Sequence, residues 1–193
     1  MYELAMNPAV QDRLLDELVR AFGRIDGRTG STGAENYPTY DQLSKLPYLD
    51  AVVSETLRMY PPVTTTDRKL VSNTGYRLGQ TGITLSPGQV VSIPIYAIHH
   101  CDRFYPNAGQ FKPDRWLLPD PMMIPYTYLP FGAGPRNCIG MRFALMEIKL
   151  SLAQLVRGFQ FSRTPQTAVP LEFRKVVRLC SAKEIMVGIE ERH

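Results

Sequence analysis

The sequence predicts an α+β domain that is mainly α-helical. Three amphipathic runs show the three- and four-residue apolar spacing of helices, and short runs rich in β-branched residues lie between them. The chain has 193 residues, of which 44% are apolar, so one domain over residues 1–193 is the default. Its 16 prolines and 14 glycines exceed what a regular bundle needs, so we expect much ordered irregular structure.

Composition excludes several classes of protein. The three cysteines, Cys101, Cys138 and Cys180, are odd in number and far apart, which argues against a disulfide framework and favours a reducing compartment. The chain as given has no run of 18 apolar residues and no signal-peptide pattern, so it is expected neither to span a membrane nor to be targeted. The net charge of +4 comes from dispersed basic residues, which predicts no nucleic-acid binding.

In the first third of the chain, the sequence pattern predicts helices separated by a polar loop. Asn7 and Pro8 are a cap and first turn for a helix that Gly23 ends, and residues 24–38 have the composition of a solvated loop. Thr39 and Gln42 have the spacing of a capping box. Helices are expected over residues 8–22, 39–46 and 47–60.

The remaining chain predicts short strands, an irregular stretch and one long helix. Strands are expected at residues 69–71, 76–78, 83–85 and 90–93 as a small antiparallel sheet, and later at 159–161, 171–173, 176–179 and 185–189. A brief helix is expected at 95–101, where the adjacent His99, His100 and Cys101 face apart and do not predict a shared metal site. Prolines make residues 102–130 an irregular excursion, and apolar periodicity predicts a helix over 141–159.

The glycine-rich loop of residues 131–140 places Cys138 just before the start of that long helix. Free N–H groups and the positive end of the helix dipole favour a thiolate there, which suits a nucleophile, a redox centre or a metal ligand. The histidines are His99, His100 and His193, so no base is evident for a nucleophile, and neither a Cys-x-x-Cys pair nor a phosphate-loop motif is present. A ligand role remains, and the plain alternative is a buried structural thiol.

The loop resembles that of the cytochrome P-450 family, the haem-thiolate monooxygenases. Phe131, Gly134, Arg136, Cys138 and Gly140 stand in the order F-x-x-G-x-R-x-C-x-G. The resemblance implies haem b as cofactor, with Cys138 as the axial ligand of its iron and Arg136 as the partner of a haem propionate. It further implies that Phe131 shields the sulfur, while Gly134 and Gly140 let the backbone lie close to the macrocycle.

A second motif lies on the helix that begins at Pro47. Glu55 and Arg58 have E-x-x-R spacing, which by itself predicts a surface salt bridge. In the resembled family this pair forms a buried structural network with the arginine of a P-x-R motif, and Arg115 stands at that place. The segment Pro-Asp-Arg-Trp departs from the commoner Pro-Glu-Arg-Phe by two conservative changes.

The resemblance also implies residues near the haem and the substrate. Arg68 is a second candidate partner for a propionate, with an ordinary edge-strand arginine as the alternative. Segments that contact substrate in this family correspond to Val63, Thr64, Thr65, Thr66, Val177 and Leu179.

The resemblance runs over about residues 2–190 and is greatest to animal microsomal enzymes of the family-3 group and thromboxane synthase. It implies only the C-terminal, proximal part of the cytochrome P-450 fold, with small antiparallel sheets and a long proline-rich meander. The family's N-terminal membrane anchor and its distal acid-threonine pair have no counterpart in these residues, so we assign no catalytic residue and expect no turnover by residues 1–193 alone.

The function implied is insertion of one oxygen atom of O2 into a lipophilic substrate. Electrons would come from NADPH-cytochrome reductase, and the full-length protein would reside on the cytosolic face of the endoplasmic reticulum membrane, held there by the anchor. One alternative is a non-catalytic haem-binding or interaction module derived from the fold. A cysteine-dependent transferase or hydrolase is a third hypothesis, and it requires a histidine base near Cys138.

Overall fold

A computed structural model describes residues 1–25, 38–117 and 124–192, and within them helices predominate over short strands, as the sequence predicts. The helices are α1 (Tyr2–Met6), α2 (Pro8–Phe22), α3 (Tyr40–Leu43), α4 (Pro47–Met59), α5 (Ile95–His99) and α6 (Met141–Gly158). The strands are β1 (Thr66–Lys69), β2 (Tyr76–Arg77), β3 (Thr84–Leu85), β4 (Val90–Ile93), β5 (Phe159–Ser162) and β6 (Gly188–Glu191). In the part of the chain that the structure describes, 3-10 turns cover Pro113–Trp116 and Gly134–Arg136.

The three amphipathic runs form the long helices α2, α4 and α6. The predicted capping box is present ahead of α3, where the Thr39 N–H donates to Gln42 Oε1 at 2.9 Å and the Gln42 N–H to Thr39 Oγ1 at 3.4 Å. Helix α1 was not predicted, because five residues are too few to display an apolar period. Most of the predicted loop at 24–38 lies outside the described residues.

The hydrophobic core lies where the apolar faces of α2, α4 and α6 pack together. Leu14 and Leu18 of α2, Leu49 and Val52 of α4 and Val156 of α6 are exposed by 2% or less. Burying one such side chain contributes roughly 1.5–3 kcal/mol, so this contact among helices provides the frame on which the loops rest.

Two polar side chains of α2 connect this frame to neighbouring elements. The buried amide of Gln11 bonds both backbone groups of Phe161 in β5, each at 2.8 Å, as a strand would. The carboxylate of Glu17 accepts from the N–H groups of Tyr48 and Leu49, at 2.9 and 2.8 Å. It thereby caps α4, whose own N-cap residue makes no side-chain bond.

The described strands form three separate antiparallel pairs, β1 with β4, β2 with β3 and β5 with β6. The predicted positions of β2, β3, β4 and β5 are close to those observed. The first predicted strand was wrong in position, because β1 begins at Thr66 and places Arg68 opposite Val91. Its hydrogen bonds follow the partner strand β4, which outweighs the local preference of residues 69–71.

The predicted strands at 171–173 and 176–179 were wrong as strands, and the last strand lies later than predicted. Arg178 has a φ of 64°, and Val177 is 84% exposed, so residues 176–179 turn instead of pairing. Among the described residues these segments form single bridges, between Val63 and Leu179 and between Phe173 and Ala182. The β-branched residues there have high strand propensity but no continuous partner strand among the residues described.

The proline-rich stretch after α5 is irregular, as predicted, in its described parts, 102–117 and 124–130. It is nevertheless held in place, since Tyr105, Ala108 and Leu129 are buried. None of the described helices is long and apolar enough to cross a membrane.

Candidate functional site

The loop that carries Cys138 is closed by its own backbone. The Cys138 N–H donates to the Phe131 carbonyl at 2.8 Å, and the Asn137 N–H donates to the Gly134 carbonyl at 3.1 Å. Gly132 and Gly134 have φ values of +73° and +74°, a conformation that other residues rarely adopt. The glycines therefore permit a tight turn that folds back to fix the backbone of the cysteine.

Cys138 lies two residues before Gly140, the N-cap residue of α6. The thiol is exposed, and so are the apolar side chains beside it: Ile139 is fully exposed and Phe143 is 66% exposed. A Cβ placed on Gly140 would lie 3.9 Å from Cys138 Sγ, an ordinary contact, so the fold of these residues does not itself require glycine there. The thiol thus stands on a surface that is suited to an apolar group.

Two arginines proposed as partners for carboxylates are exposed. Arg136 ends a 3-10 turn next to the cysteine and makes no side-chain hydrogen bond to any described residue. Arg68 donates to Thr66 Oγ1 at 3.0 Å and to the Asp67 carbonyl at 2.8 Å, so its Nη1 is already bonded within its own strand. Both alternatives for Arg68, anion partner and edge-strand arginine, agree with this position.

The side chains around Cys138 are of the chemical types that bind haem. A thiolate is a haem-iron ligand, a guanidinium pairs with a carboxylate, and exposed apolar side chains suit the macrocycle. Phe131 takes part through its backbone, because its carbonyl holds the Cys138 N–H, while its half-buried ring packs against the core. Shielding of the sulfur by that ring stays a prediction.

The buried carboxylate of Glu55 is surrounded by donors. Arg58 bonds both of its oxygens at 2.9 Å, and both side chains are fully buried. Arg115 Nε lies 3.1 Å from each oxygen, the Lys112 N–H donates at 2.9 Å, and Trp116 Nε1 donates at 2.9 Å. The structure therefore brings α4 and the turn Pro113–Trp116 together around one charge.

The negative charge of Glu55 is balanced by the groups that surround it. Burial opposes ionisation, but the hydrogen bonds and charge of Arg58, with the donors of Lys112 and Trp116, outweigh it and hold the pKa of Glu55 below its usual range. Sequence reasoning treated Trp116 as a conservative change from phenylalanine. Its indole N–H in fact supplies a hydrogen bond that phenylalanine lacks.

His99, to which the sequence analysis assigned no metal site, joins this network. Arg58 Nη1 donates to the His99 carbonyl at 2.9 Å, and the imidazole lies between the Arg58 carbonyl and the Leu129 N–H. Burial lowers the pKa of His99 to about 4, so the ring is neutral at physiological pH. No cluster of three potential metal ligands occurs in the described ranges.

The two segments predicted to contact substrate lie side by side. Val63 bridges Leu179, and the Thr64 N–H donates to the Arg178 carbonyl at 2.9 Å. Val177 and Leu179 are exposed, whereas Thr66 starts β1. Thr64 and Thr65 line a cleft of about 400 Å³, together with Pro94, Tyr96, Ala97, Phe173, Leu179 and Cys180.

Comparison with known proteins agrees with this geometry. Residues 1–188 match the family model described as Cytochrome P450. The chain is 45% identical over 192 residues to cytochrome P450 9e2 of Blattella germanica and 40% identical over 188 residues to probable cytochrome P450 6a13 of Drosophila melanogaster. It is 36% identical over 193 residues to cytochrome P450 3A12 of Canis lupus familiaris, in accord with the predicted likeness to the family-3 group.

These alignments cover 98%, 95% and 100% of this chain but only 34%, 35% and 36% of the three relatives. The chain thus spans about a third of the length of the relatives that it matches. The family match covers nearly all of its residues. The chain belongs to the cytochrome P450 family.

Proposed function

We propose that the protein bearing these residues is a haem-thiolate monooxygenase that inserts one oxygen atom of O2 into a lipophilic substrate. Electrons are supplied by NADPH-cytochrome reductase. The observation that carries the proposal is the exposed Cys138 at the end of a backbone-closed loop, beside Arg136 and an apolar surface, in a chain of the cytochrome P450 family.

In this proposal Cys138 binds haem iron, Arg136 and Arg68 bind the propionates, and Gly134 and Gly140 leave room for the macrocycle. Haem so bound supplies oxygen activation, which electron donation from the thiolate favours. Phe131 contributes through its carbonyl, which fixes the backbone that carries the sulfur, and through its ring, which limits access of water to it.

The protein's own residues set the position of the ligand and the polarity of the site. The bond from the Cys138 N–H to the Phe131 carbonyl holds the cysteine in a fixed backbone conformation, so the thiol is aimed before any ligand arrives. The guanidinium of Arg136 offers a planar fork of donors that matches a carboxylate. Its charge offsets that of a propionate and lowers the cost of bringing the anion to an apolar surface.

Substrate binding is proposed at the edge where two loops meet. Val63 and Leu179 are bridged, and Val177 is almost fully exposed, so this edge presents apolar surface to a lipophilic molecule. Thr64, Thr65 and Thr66 add hydroxyl groups that can bond a polar substituent. The proposed location of the whole protein is the cytosolic face of the endoplasmic reticulum membrane.

Labelled oxygen tests the proposed activity. The purified whole protein, with reductase and NADPH, is supplied with 18O2 and a panel of lipophilic compounds, and products are analysed by mass spectrometry. We expect one 18O atom per product molecule, dependent on NADPH. Haem binding with no labelled product from any compound in the panel would favour the non-catalytic module, and residues 1–193 alone are expected to give no product.

A further inference from the structure

His99 lies between the Glu55 network and the chain that leads into the Cys138 loop. Its side chain is fully buried. The imidazole stacks on Tyr128, with ring centroids 5.7 Å apart, and meets the edge of Tyr105 at 6.3 Å. Aromatic rings on two sides thus fix the plane of the imidazole, and its two nitrogens point at defined partners.

The partners determine which nitrogen carries the proton. The Leu129 N–H lies 2.8 Å from His99 Nε2 and can only donate, so Nε2 is the acceptor. Nδ1 therefore carries the proton and donates to the Arg58 carbonyl at 3.1 Å. Arg58 Nη1 donates in return to the His99 carbonyl, so α4 and α5 are joined by reciprocal bonds.

Leu129 is the point at which the chain enters the cysteine loop. Its carbonyl accepts from the Gly132 N–H at 3.1 Å, and the carbonyl of Phe131, two residues later, accepts from the Cys138 N–H at 2.8 Å. Leu129 is itself buried. The acceptor for its N–H is His99 Nε2, on a different part of the chain, so this one bond ties the base of the loop to α5 and through it to α4.

We infer that His99 is a positioning residue: its Nε2 holds Leu129, and thereby sets where the loop presents Cys138 relative to α4. Loss of this acceptor leaves the buried Leu129 N–H without a partner, which raises the opening equilibrium of the loop by about tenfold. The role of His99 in placing the loop does not depend on the proposed function. Only the haem spectrum described below rests on the proposed function.

Two nearly isosteric substitutions separate the two nitrogens. In His99→Asn the amide nitrogen occupies the place of Nδ1 and keeps the bond to Arg58, but no acceptor reaches Leu129. In His99→Gln the amide oxygen occupies the place of Nε2 and keeps Leu129, but the donor to Arg58 is lost. Each variant loses one buried bond, so both are expected to unfold more easily by similar amounts.

Hydrogen exchange of residues 129–138, followed by mass spectrometry in the purified whole protein with haem, is the test. We expect exchange about tenfold faster in His99→Asn and close to that of the unmodified protein in His99→Gln. Equal acceleration in both variants, or acceleration in His99→Gln only, overturns the inference. If His99→Asn does not fold, His99→Gln decides: a lower unfolding midpoint with an unchanged loop supports the inference, and a loosened loop overturns it.

The haem spectrum provides a second readout. The fraction of reduced protein that gives a thiolate-type carbon monoxide spectrum is expected to fall in His99→Asn and to be retained in His99→Gln. If the unmodified protein lacks that spectrum, the proposed function fails while the exchange result still decides the role of His99. If the spectrum is lost equally in both variants, the inference fails while the proposed function stands.

Discussion

Replacement of Glu55 by glutamine tests whether one buried charge organises the helical frame. The substitution keeps size and shape but puts an amide NH2 where a carboxylate oxygen accepts from Arg58 Nε, Arg115 Nε and Trp116 Nε1. Donors then face a donor, and two arginines whose side chains are 0% and 14% exposed lose their counter-charge. Breaking a buried pair in this way costs about 3–5 kcal/mol.

Urea unfolding followed by circular dichroism measures the cost of Glu55→Gln in the whole protein. Glu172→Gln is the matched control, because Glu172 pairs with Lys183 at 2.7 Å but both side chains are about 60% exposed. The control is expected to leave the unfolding midpoint nearly unchanged, since solvent screens such a pair. A loss for Glu55→Gln below about 1 kcal/mol, or one equal to that of the control, would show that the network does not hold the frame.

Three further predictions concern the same frame. Trp116→Phe keeps the ring but removes the indole donor to Glu55, and is expected to cost about 1.5–3 kcal/mol in urea unfolding; an unchanged midpoint contradicts this hydrogen bond. Glu17→Ala removes the acceptor for two N–H groups at the start of α4 and is expected to cost about 1 kcal/mol, whereas the neighbouring exposed Asp16→Ala should cost little. Burial lowers the pKa of His99 from 6.5 to about 4, so as the pH falls the unfolded state binds a proton before the folded state does. The free energy of unfolding is therefore expected to keep the full contribution of His99 above pH 6.5 and to fall by about 3 kcal/mol as the pH drops to 4. His99→Gln should lack this dependence between those pH values.

Long and strongly patterned elements could be predicted from the sequence, whereas features that depend on tertiary contacts could not. Helix α6 and the capping box at Thr39 follow from local spacing alone. Residues 176–179 have a local strand preference, yet Val177 stays exposed because pairing requires a neighbour that the local pattern does not contain. Strand propensity was therefore a poor guide near the C-terminus.

The candidate site shows the same division. The cysteine loop and the three charged residues Glu55, Arg58 and Arg115 were identified by their motifs. The donor role of Trp116 and the bridging role of His99 were missed, because an indole N–H or an imidazole acquires such a role only when folding brings a partner within 3 Å. Adjacent histidines in a sequence do not indicate which of them will be buried.

The carbon monoxide spectrum of the reduced protein tests the central claim, that Cys138 binds haem iron, most directly. We expect the red-shifted Soret band of a thiolate-ligated haem in the whole protein and in the control variants Cys101→Ala and Cys180→Ala. The band should be absent from Cys138→Ala. A red-shifted band that persists in Cys138→Ala would contradict the assignment of this residue as the iron ligand.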